Sequence, residues 1–506
     1  MAMNAIFSWI IKKRIHQIDL FKQYPLEVQE EWFWCLIESA SETVWGKENC
    51  FSAITSYADF RDNVPLQDYN SLKPYIDRMI AGEPNVLWNS EVKWFAKSSG
   101  TTSDKSKFIP VSVESLQDCH YKGGKDLLSI YCNNYSDANL YGGKHLVIGG
   151  SSTPRSIGED SYFGDLSAII VKNLPFWAEY KRIPSMDVAM MDNWEEKVIE
   201  IAKNTIHDDV CLVTGVPSWT LVIFNKILEI TGKQNIHEVW PNLECFMHGG
   251  VKFEPYRAAF QKMLPGRMNY IESYNASEGL FGIQDQANST NLLLMLDYGI
   301  FFEFIPMRSF DGLNSKEVLS LSEVEVGVSY ALVISTNGGL WRYIVGDTIK
   351  FTELSPYRIE ITGRTTQFIN AFGEELIVAN TDQAIALACQ HTGAQIRDYS
   401  AAPVFMENGN GGGHEWLVEF EFEPSSMEAF ALRLDHELKQ LNSDYEAKRT
   451  ADIALKLPVI RVLPKGSFEH WLKSKGKLGG QHKVPRLSNE RKIIEEILRV
   501  CAYERS

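Results

Sequence analysis

The hydrophobic and polar pattern divides the chain into three stretches of different character. Residues 1 to about 85 read as mostly helical, with turns at Pro25 and at Asn63-Val64-Pro65. Further on, Val92, Trp94 and Ala96 alternate with polar residues at the period of a strand. Lys97 to Lys107 then runs for eleven residues without an apolar side chain, and Phe108-Ile109-Pro110-Val111 forms a second short apolar run. A helix is predicted after Ser112, which can cap it beside Glu114, and Gly123-Gly124 is expected to weaken it in mid-course. His145 to Gly150, Val210 to Gly215 and Cys245 to Gly250 are short apolar runs of strand type that end in glycine. Between 160 and 230 the chain is aromatic, with Tyr162, Phe163, Phe176, Trp177, Trp194, Trp219 and Phe224; these could wall a pocket or fill a core. From 291 to 352 short apolar runs alternate with turns, a β-rich pattern. Beyond about 380 a helical segment (Thr381 to Cys389), a strand (Trp416 to Phe422), a helix (Ser426 to Leu441) and a strand (Val459 to Leu463) predict a small α+β unit. Strands alternating with helices at this spacing indicate α/β layers.

A length of 506 residues with 44% hydrophobic and 12% aromatic content supports sizeable cores. The change of character beyond about 380 divides the chain into a large domain over 1–365 and a small domain over 381–506, with the boundary in 366–380. A net charge of −15 makes the surface as a whole repel nucleic acid and anionic membrane, so any phosphate must be bound locally. The eight cysteines are scattered without a C-x-x-C pair, which indicates neither a zinc site nor a disulfide framework. Ala5 to Ile11 is apolar, but its charges, Lys12, Lys13 and Arg14, follow it. A secretory leader carries its charge first, so this stretch predicts an amphipathic helix docked on the body. No run approaches the roughly 18 apolar residues of a membrane span. A cytoplasmic protein with no stable membrane association is expected.

Several familiar motifs are missing. There is no Walker A pattern, no G-x-S-x-G elbow and no H-x-x-x-H metal spacing. Gly409 to Gly413 contains G-x-G without a strand-to-helix setting and reads as a surface turn. The polar stretch Lys97-Ser98-Ser99-Gly100-Thr101-Thr102-Ser103-Asp104-Lys105-Ser106-Lys107 has the chemistry to grip an anion. Its hydroxyls and N–H groups donate hydrogen bonds, Gly100 permits close backbone approach, and lysine supplies charge. Taken alone, it is also what a flexible hairpin loop looks like.

The order of the polar knots is more specific than any one of them. Ser98-Ser99-Gly100-Thr101-Thr102 with Lys107, then Tyr274-Asn275-Ala276-Ser277-Glu278-Gly279, then Arg342 to Asp347 resemble the signature of adenylate-forming enzymes. Closer still, Gly215-Val216-Pro217-Ser218-Trp219, Gly249-Gly250 before Phe253-Glu254-Pro255-Tyr256, Gly466-Ser467-Phe468 and Gly480-Gln481-His482-Lys483-Val484-Pro485-Arg486 resemble the Gretchen Hagen acyl acid amido synthetases. The resemblance runs from about 90 to 490.

That resemblance implies an α/β fold: a large N-terminal adenylate-forming domain of β-sheets flanked by helices, and a small mobile C-terminal α+β domain. It implies ATP and Mg²⁺ as cofactors and a small carboxylic acid and an amino acid as partners. By position, Ser98, Ser99, Thr101, Thr102 and Lys107 would hold the phosphates, and Asn275, Ala276, Ser277 and Gly279 would border the nucleotide. Asp347 would bind the ribose hydroxyls, and Arg364 would reach ribose or phosphate. Gly466, Ser467 and Phe468 would complete the nucleotide site. Glu278, as the metal ligand, and Lys483 would be catalytic. Tyr274, Val216 and Trp219 would border the acyl group. Asp104 departs from the pattern, standing where the family usually has a second glycine, and is expected to point to solvent. A thiol ligase such as an acyl-CoA synthetase, and an idle relative that binds a small acid, are the alternatives. Neither the acid, the amine, a catalytic base nor the oligomeric state is legible.

Overall fold

The structure is a computed structural model. It describes residues 2–98, 107–149, 153–158, 160–174, 176–250, 253–365, 368–369, 376–404, 413–442, 445–446, 449, 455–476, 483–488 and 491–503, with backbone alone for 2–12, 98, 176–177, 218, 255, 368 and 502–503. The predicted helical start is found as Ala2–Gln23, Pro25–Ala40, Val44–Glu48, Tyr57–Asn63 and Tyr69–Ile80. Pro25 opens the second helix, where its missing N–H costs no hydrogen bond. Thr43, Ser56 and Asp68 cap the next three by accepting from the N–H groups of Gly46, Asp59 and Ser71. The first helix is tied to the body by charge. Arg14 bridges Asp126 and Asp297, each at 2.7 Å, and Lys22 reaches Asp285 at 2.9 Å.

Ser112 caps the following helical stretch as predicted, accepting from the Ser115 N–H at 2.9 Å. That stretch opens as a π-helix, Ser115–Tyr121, and continues as the α-helix Lys122–Asn134. Gly123 and Gly124 do not interrupt it. Gly123 marks a close approach, because a Cβ there would lie 2.7 Å from Leu280 Cδ1, whereas one at Gly124 would meet nothing within 4 Å.

The large sheet has eleven strands. One half is parallel, in the order Arg182–Ile183, Lys144–Val147, Val210–Gly215, Cys245–Gly249, Asn269–Ala276. Gly279–Ile283 then pairs antiparallel with Asn269–Ala276 and leads into the antiparallel half, which includes Tyr343–Leu354 and Tyr357–Arg364. A second sheet is built on the hairpin Trp94–Ser98 with Lys107–Val111. The helices Trp194–Thr205 and Pro217–Thr231 bury Trp194, Val198, Ile201, Ile223, Phe224 and Ile227, Phe224 fully.

Chain contacts define two compact units, one of residues 1–253, 258–345 and 349–360, the other of 254–257, 346–348 and 361–506. The smaller unit holds a three-stranded sheet of Gln395–Val404, Gly413–Phe422 and Val459–Leu463. Alternate residues point to opposite faces. Tyr399, Trp416 and Val418 pack with the helices Val378–Thr392 and Met427–Leu441, while Ala402 and Leu417 pack with Ser467–Ser474 and Lys492–Tyr503. The strand Gln395–Val404 is absent from the sequence reading. All eight cysteines are free thiols. Among the described residues no helix is long and apolar enough to cross a membrane.

Candidate active site

In the larger unit the parallel strands set up one edge. Their registers align Val147 with Thr214, Gly215 with His248 and Gly249 with Ser273, so four carboxyl ends share a side. In open α/β sheets that is where ligands bind. The glycines that end these strands answer to spacing. A Cβ on Gly215 would lie 2.9 Å from Ile148 Cβ, and one on Gly249 would lie 2.5 Å from the Ser273 carbonyl oxygen.

The Tyr274 to Gly279 motif sits at this edge as a hairpin. Gly279 pairs with Ala276, leaving Ser277 and Glu278 as a two-residue tip. Ser277 is buried, Glu278 half-buried and Asn275 exposed. The buried Tyr274 ring stands edge-on to Phe281 at 4.9 Å. A Cβ on Gly279 would meet Ile300 Cδ1 at 2.9 Å and Phe281 Cε1 at 3.0 Å, so the tip has no slack on that side. Val216 precedes Pro217 at the start of a helix, and the Trp219 ring lies 5.7 Å from that of Trp194 on the neighbouring helix.

Ser98 pairs with Lys107, so the two strands flank the hydroxyl stretch in sequence. The Lys107 ammonium lies 6.0 Å from the centre of the Tyr69 ring. Ser99, Thr101, Thr102 and Asp104 lie outside the described residues, as does the Ser98 side chain. The Gly409 turn also lies outside them, apart from Gly413. Burial raises Asp165 to about 6, against the opposing charges of Lys97 and Lys197.

The smaller unit brings together residues far apart in sequence. The Arg364 Nε donates to Asp347 Oδ1 at 2.9 Å. Gly346, at φ +89°, turns the chain just before Asp347, and its carbonyl accepts from the Thr365 N–H at 2.9 Å. Lys483 joins this pair. It is open to solvent, but it stands in crowded surroundings. Desolvation, followed by the charges of Arg364 and Arg486, pushes its ammonium down to about 8 against the pull of Asp347. Water at its open side limits the desolvation. Gly466, Ser467 and Phe468 have other engagements. They start a helix whose Gly466 and Phe468 N–H groups donate to Glu419, at 2.6 and 3.3 Å, and both Ser467 and Phe468 are buried. Phe468 packs in the same cluster as Val484, the neighbour of Lys483.

Asp347, Arg364 and Lys483 are thus grouped in one unit, and Tyr274 to Gly279 shares the strand-end edge of the other with Val216. Sequence reasoning missed Arg486 as a neighbour of Lys483, and with it the groups that surround Arg486: Tyr256, Asp382, Asp398 and Tyr399. Only two of them lay within motifs already singled out, Tyr256 in Phe253-Glu254-Pro255-Tyr256 and Arg486 in Lys483-Val484-Pro485-Arg486.

The sequence pattern of the GH3 family N-terminal domain matches residues 14–268, that of the GH3 family central domain 293–364, and that of the GH3 family C-terminal domain 379–492. The chain is 23% identical to the indole-3-acetic acid-amido synthetase GH3.3 of Arabidopsis thaliana, over 91% of this chain and 89% of that one. It is 22% identical to the 4-substituted benzoates-glutamate ligase GH3.12 of Arabidopsis thaliana, over 87% and 89%. Its fold is similar to that of the GH3.15 acyl acid amido synthetase, with a TM-score of 0.76 at 16% identity, covering 94% and 93% of the two chains.

Proposed function

Because the chain belongs to the GH3 family, we propose that it is an acid–amino acid ligase that consumes ATP in two half-reactions. In the first, a carboxylate oxygen attacks the α-phosphorus of ATP and pyrophosphate leaves. In the second, the amine of an amino acid attacks the carbonyl of the acyl-adenylate, loses a proton and expels AMP. The names of the relatives, an amido synthetase and a glutamate ligase, support the amide product.

The observation that carries this reading is the meeting of Lys483 with the Asp347–Arg364 pair. The first half-reaction joins two anions, so its residues must neutralise charge and hold donors where charge develops. In this reading Asp347 accepts both ribose hydroxyls, Arg364 shares its charge with ribose or phosphate, and Lys483 supports the phosphate being attacked. Ser98, Ser99, Thr101, Thr102 and Lys107 hold the outer phosphates. Asn275, Ala276, Ser277 and Gly279 border the nucleotide, while Tyr274, Val216 and Trp219 border the acid. Among the described residues no cluster of three or more His, Cys, Asp or Glu is arranged to hold a metal alone. That suits Mg²⁺, which takes one or two carboxylates plus phosphate oxygens. Glu278, half-buried at its hairpin tip, fits that part, and the ion supplies charge neutralisation when bound. Residues 366–380 serve as the hinge about which a small C-terminal domain, 381–506, turns between the two steps. The reaction takes place in the cytoplasm.

The test is pyrophosphate exchange into ATP across a panel of aromatic and fatty acids, followed by product analysis with amino acids or CoA as acceptor. Acid-dependent exchange and amide formation are expected. Exchange with no acid in the panel, or thioester as the product, would overturn the reading.

A further inference from the structure

The run from Lys483 to Ser488 is bound to the strand Gln395–Val404 by its main chain. The Ala401 N–H donates to the Arg486 carbonyl at 2.8 Å, the Ser488 N–H donates to the Ala401 carbonyl at 3.1 Å, and the Ser400 hydroxyl donates to the Pro485 carbonyl at 2.7 Å. The Arg486 side chain completes the attachment. Its guanidinium is ion-paired to Asp398, lies 4.0 Å from the Asp382 carboxylate, and sits with its central carbon 4.5 Å from the centre of the Tyr399 ring. Tyr399 is itself immobilised. It stacks on Trp416 at 5.6 Å, and its hydroxyl donates to Asp382 at 2.6 Å. The same guanidinium donates a hydrogen bond to the Tyr256 hydroxyl oxygen. A planar, forked cation pairs with a carboxylate and stacks flat on a ring at once, so lysine could replace it only in part.

A guanidinium so fully engaged has little capacity left for a phosphate. Its effect is felt three residues away. We infer that Arg486 is a positioning residue: by anchoring to Asp398 and Tyr399 it fixes the Lys483-Val484-Pro485 run, and with it the place of the Lys483 ammonium beside the Asp347–Arg364 pair. The inference rests on the reading of Lys483 as the lysine that meets the nucleotide. The charged groups facing Lys483 are Arg364, Asp347 and Arg486. Facing Arg486 are the carboxylates of Asp398 and Asp382 and the neutral phenols of Tyr256 and Tyr399. Holding two guanidinium groups near Lys483 also favours its neutral form in the free protein.

Two measurements on the full chain test this. The first follows acetylation of Lys483 by acetic anhydride across pH, read by mass spectrometry, and needs no activity. The unaltered protein should show a midpoint near 8, and Arg486→Met should raise it. The second is acid-dependent pyrophosphate exchange. Here Arg486→Met should lower kcat on the order of 10- to 100-fold with KM for the acid little changed, the mark of a misplaced group. Arg486→Lys should keep the midpoint near 8 and recover only part of kcat. An Arg486→Met protein with both midpoint and kcat unchanged would overturn the inference. If that variant does not fold, Asp398→Asn breaks the pairing while leaving the charge, and should lower kcat severalfold at an unchanged midpoint; an unaltered kcat would overturn it equally. Absence of exchange in the unaltered protein would instead sink the ligase reading, and the acetylation midpoints would still decide the role of Arg486.

Discussion

Replacing Arg342 by Met should cost the protein a large part of its stability. Arg342 is buried with a left-handed backbone, φ +43°, immediately before the strand that carries Asp347. Its fork grips Glu303, with Nε to Oε2 at 3.0 Å and Nη2 to Oε1 at 2.9 Å, while Nη1 donates to the carbonyls of Arg61 at 2.7 Å and Val64 at 2.5 Å. Glu303 has no solvent-exposed side-chain surface, and its other donor is the Tyr57 hydroxyl at 3.0 Å. Met keeps much of the side chain's bulk but leaves that carboxylate buried with one neutral donor. Stranding one member of a buried pair costs about 3–5 kcal/mol, set against about 5–15 kcal/mol for a typical fold. With an unfolding entropy of about 2.1 cal/mol/K per residue over the roughly 350 residues of the larger unit, Tm should fall by about 4–7 °C. Scanning calorimetry and urea unfolding measure both quantities. The double variant Arg342→Met, Glu303→Leu removes the stranded charge and should regain at least about half of the loss. The reasoning fails if the single variant stays within about 1 kcal/mol of the unaltered protein, or if the double variant is no more stable than the single.

Glu278→Gln and Asp347→Asn should each keep the fold and lower acid-dependent pyrophosphate exchange on the order of 100-fold, because the first weakens the hold on Mg²⁺ and the second the grip on the ribose hydroxyls; full exchange in either variant would remove that residue from the site. Burial lowers His120 from its ordinary 6.5 to about 4. Between those values the unfolded chain takes up a proton that the folded chain refuses, so stability falls as pH drops from 6.5 to 4, by about 3 kcal/mol in all. His120→Leu should flatten that acid limb in urea titrations at pH 7, 5 and 4, and parallel limbs would exclude the histidine as its cause. Gly124→Ala should stabilise the helix by about 0.5–1 kcal/mol, whereas Gly123→Ala, driven into Leu280, should destabilise it by about 1–3 kcal/mol. Thermal melts that rank the two variants the other way would contradict the packing described.

The legible parts of the fold were those in which local pattern and tertiary role agree. The helix start at Ser112, the strand runs that end in glycine, and the α+β tail all follow period and punctuation. Gly123-Gly124 misled because a glycine pair reads as a helix breaker, and only the position of Leu280 reveals why one of them is there. The strand Gln395–Val404 escaped because Arg397 and Asp398 break its apolar alternation; Asp398 is there for Arg486, a partner 88 residues later. The aromatic residues between 160 and 230 left two readings open. Phe224 goes to the core, and Trp219 packs on Trp194.

The smaller unit is sewn from three separate lengths of chain, 254–257, 346–348 and 361–506. A hybrid spliced at position 380, with the tail taken from a relative, would therefore import Asp398, Lys483 and Arg486 while retaining native Tyr256, Asp347 and Arg364. Two histories would meet around one ammonium group. A hybrid in which both short inserts travel with the whole of 361–506 keeps that neighbourhood of common descent, and the natural seams for exchanging specificity lie outside those three lengths.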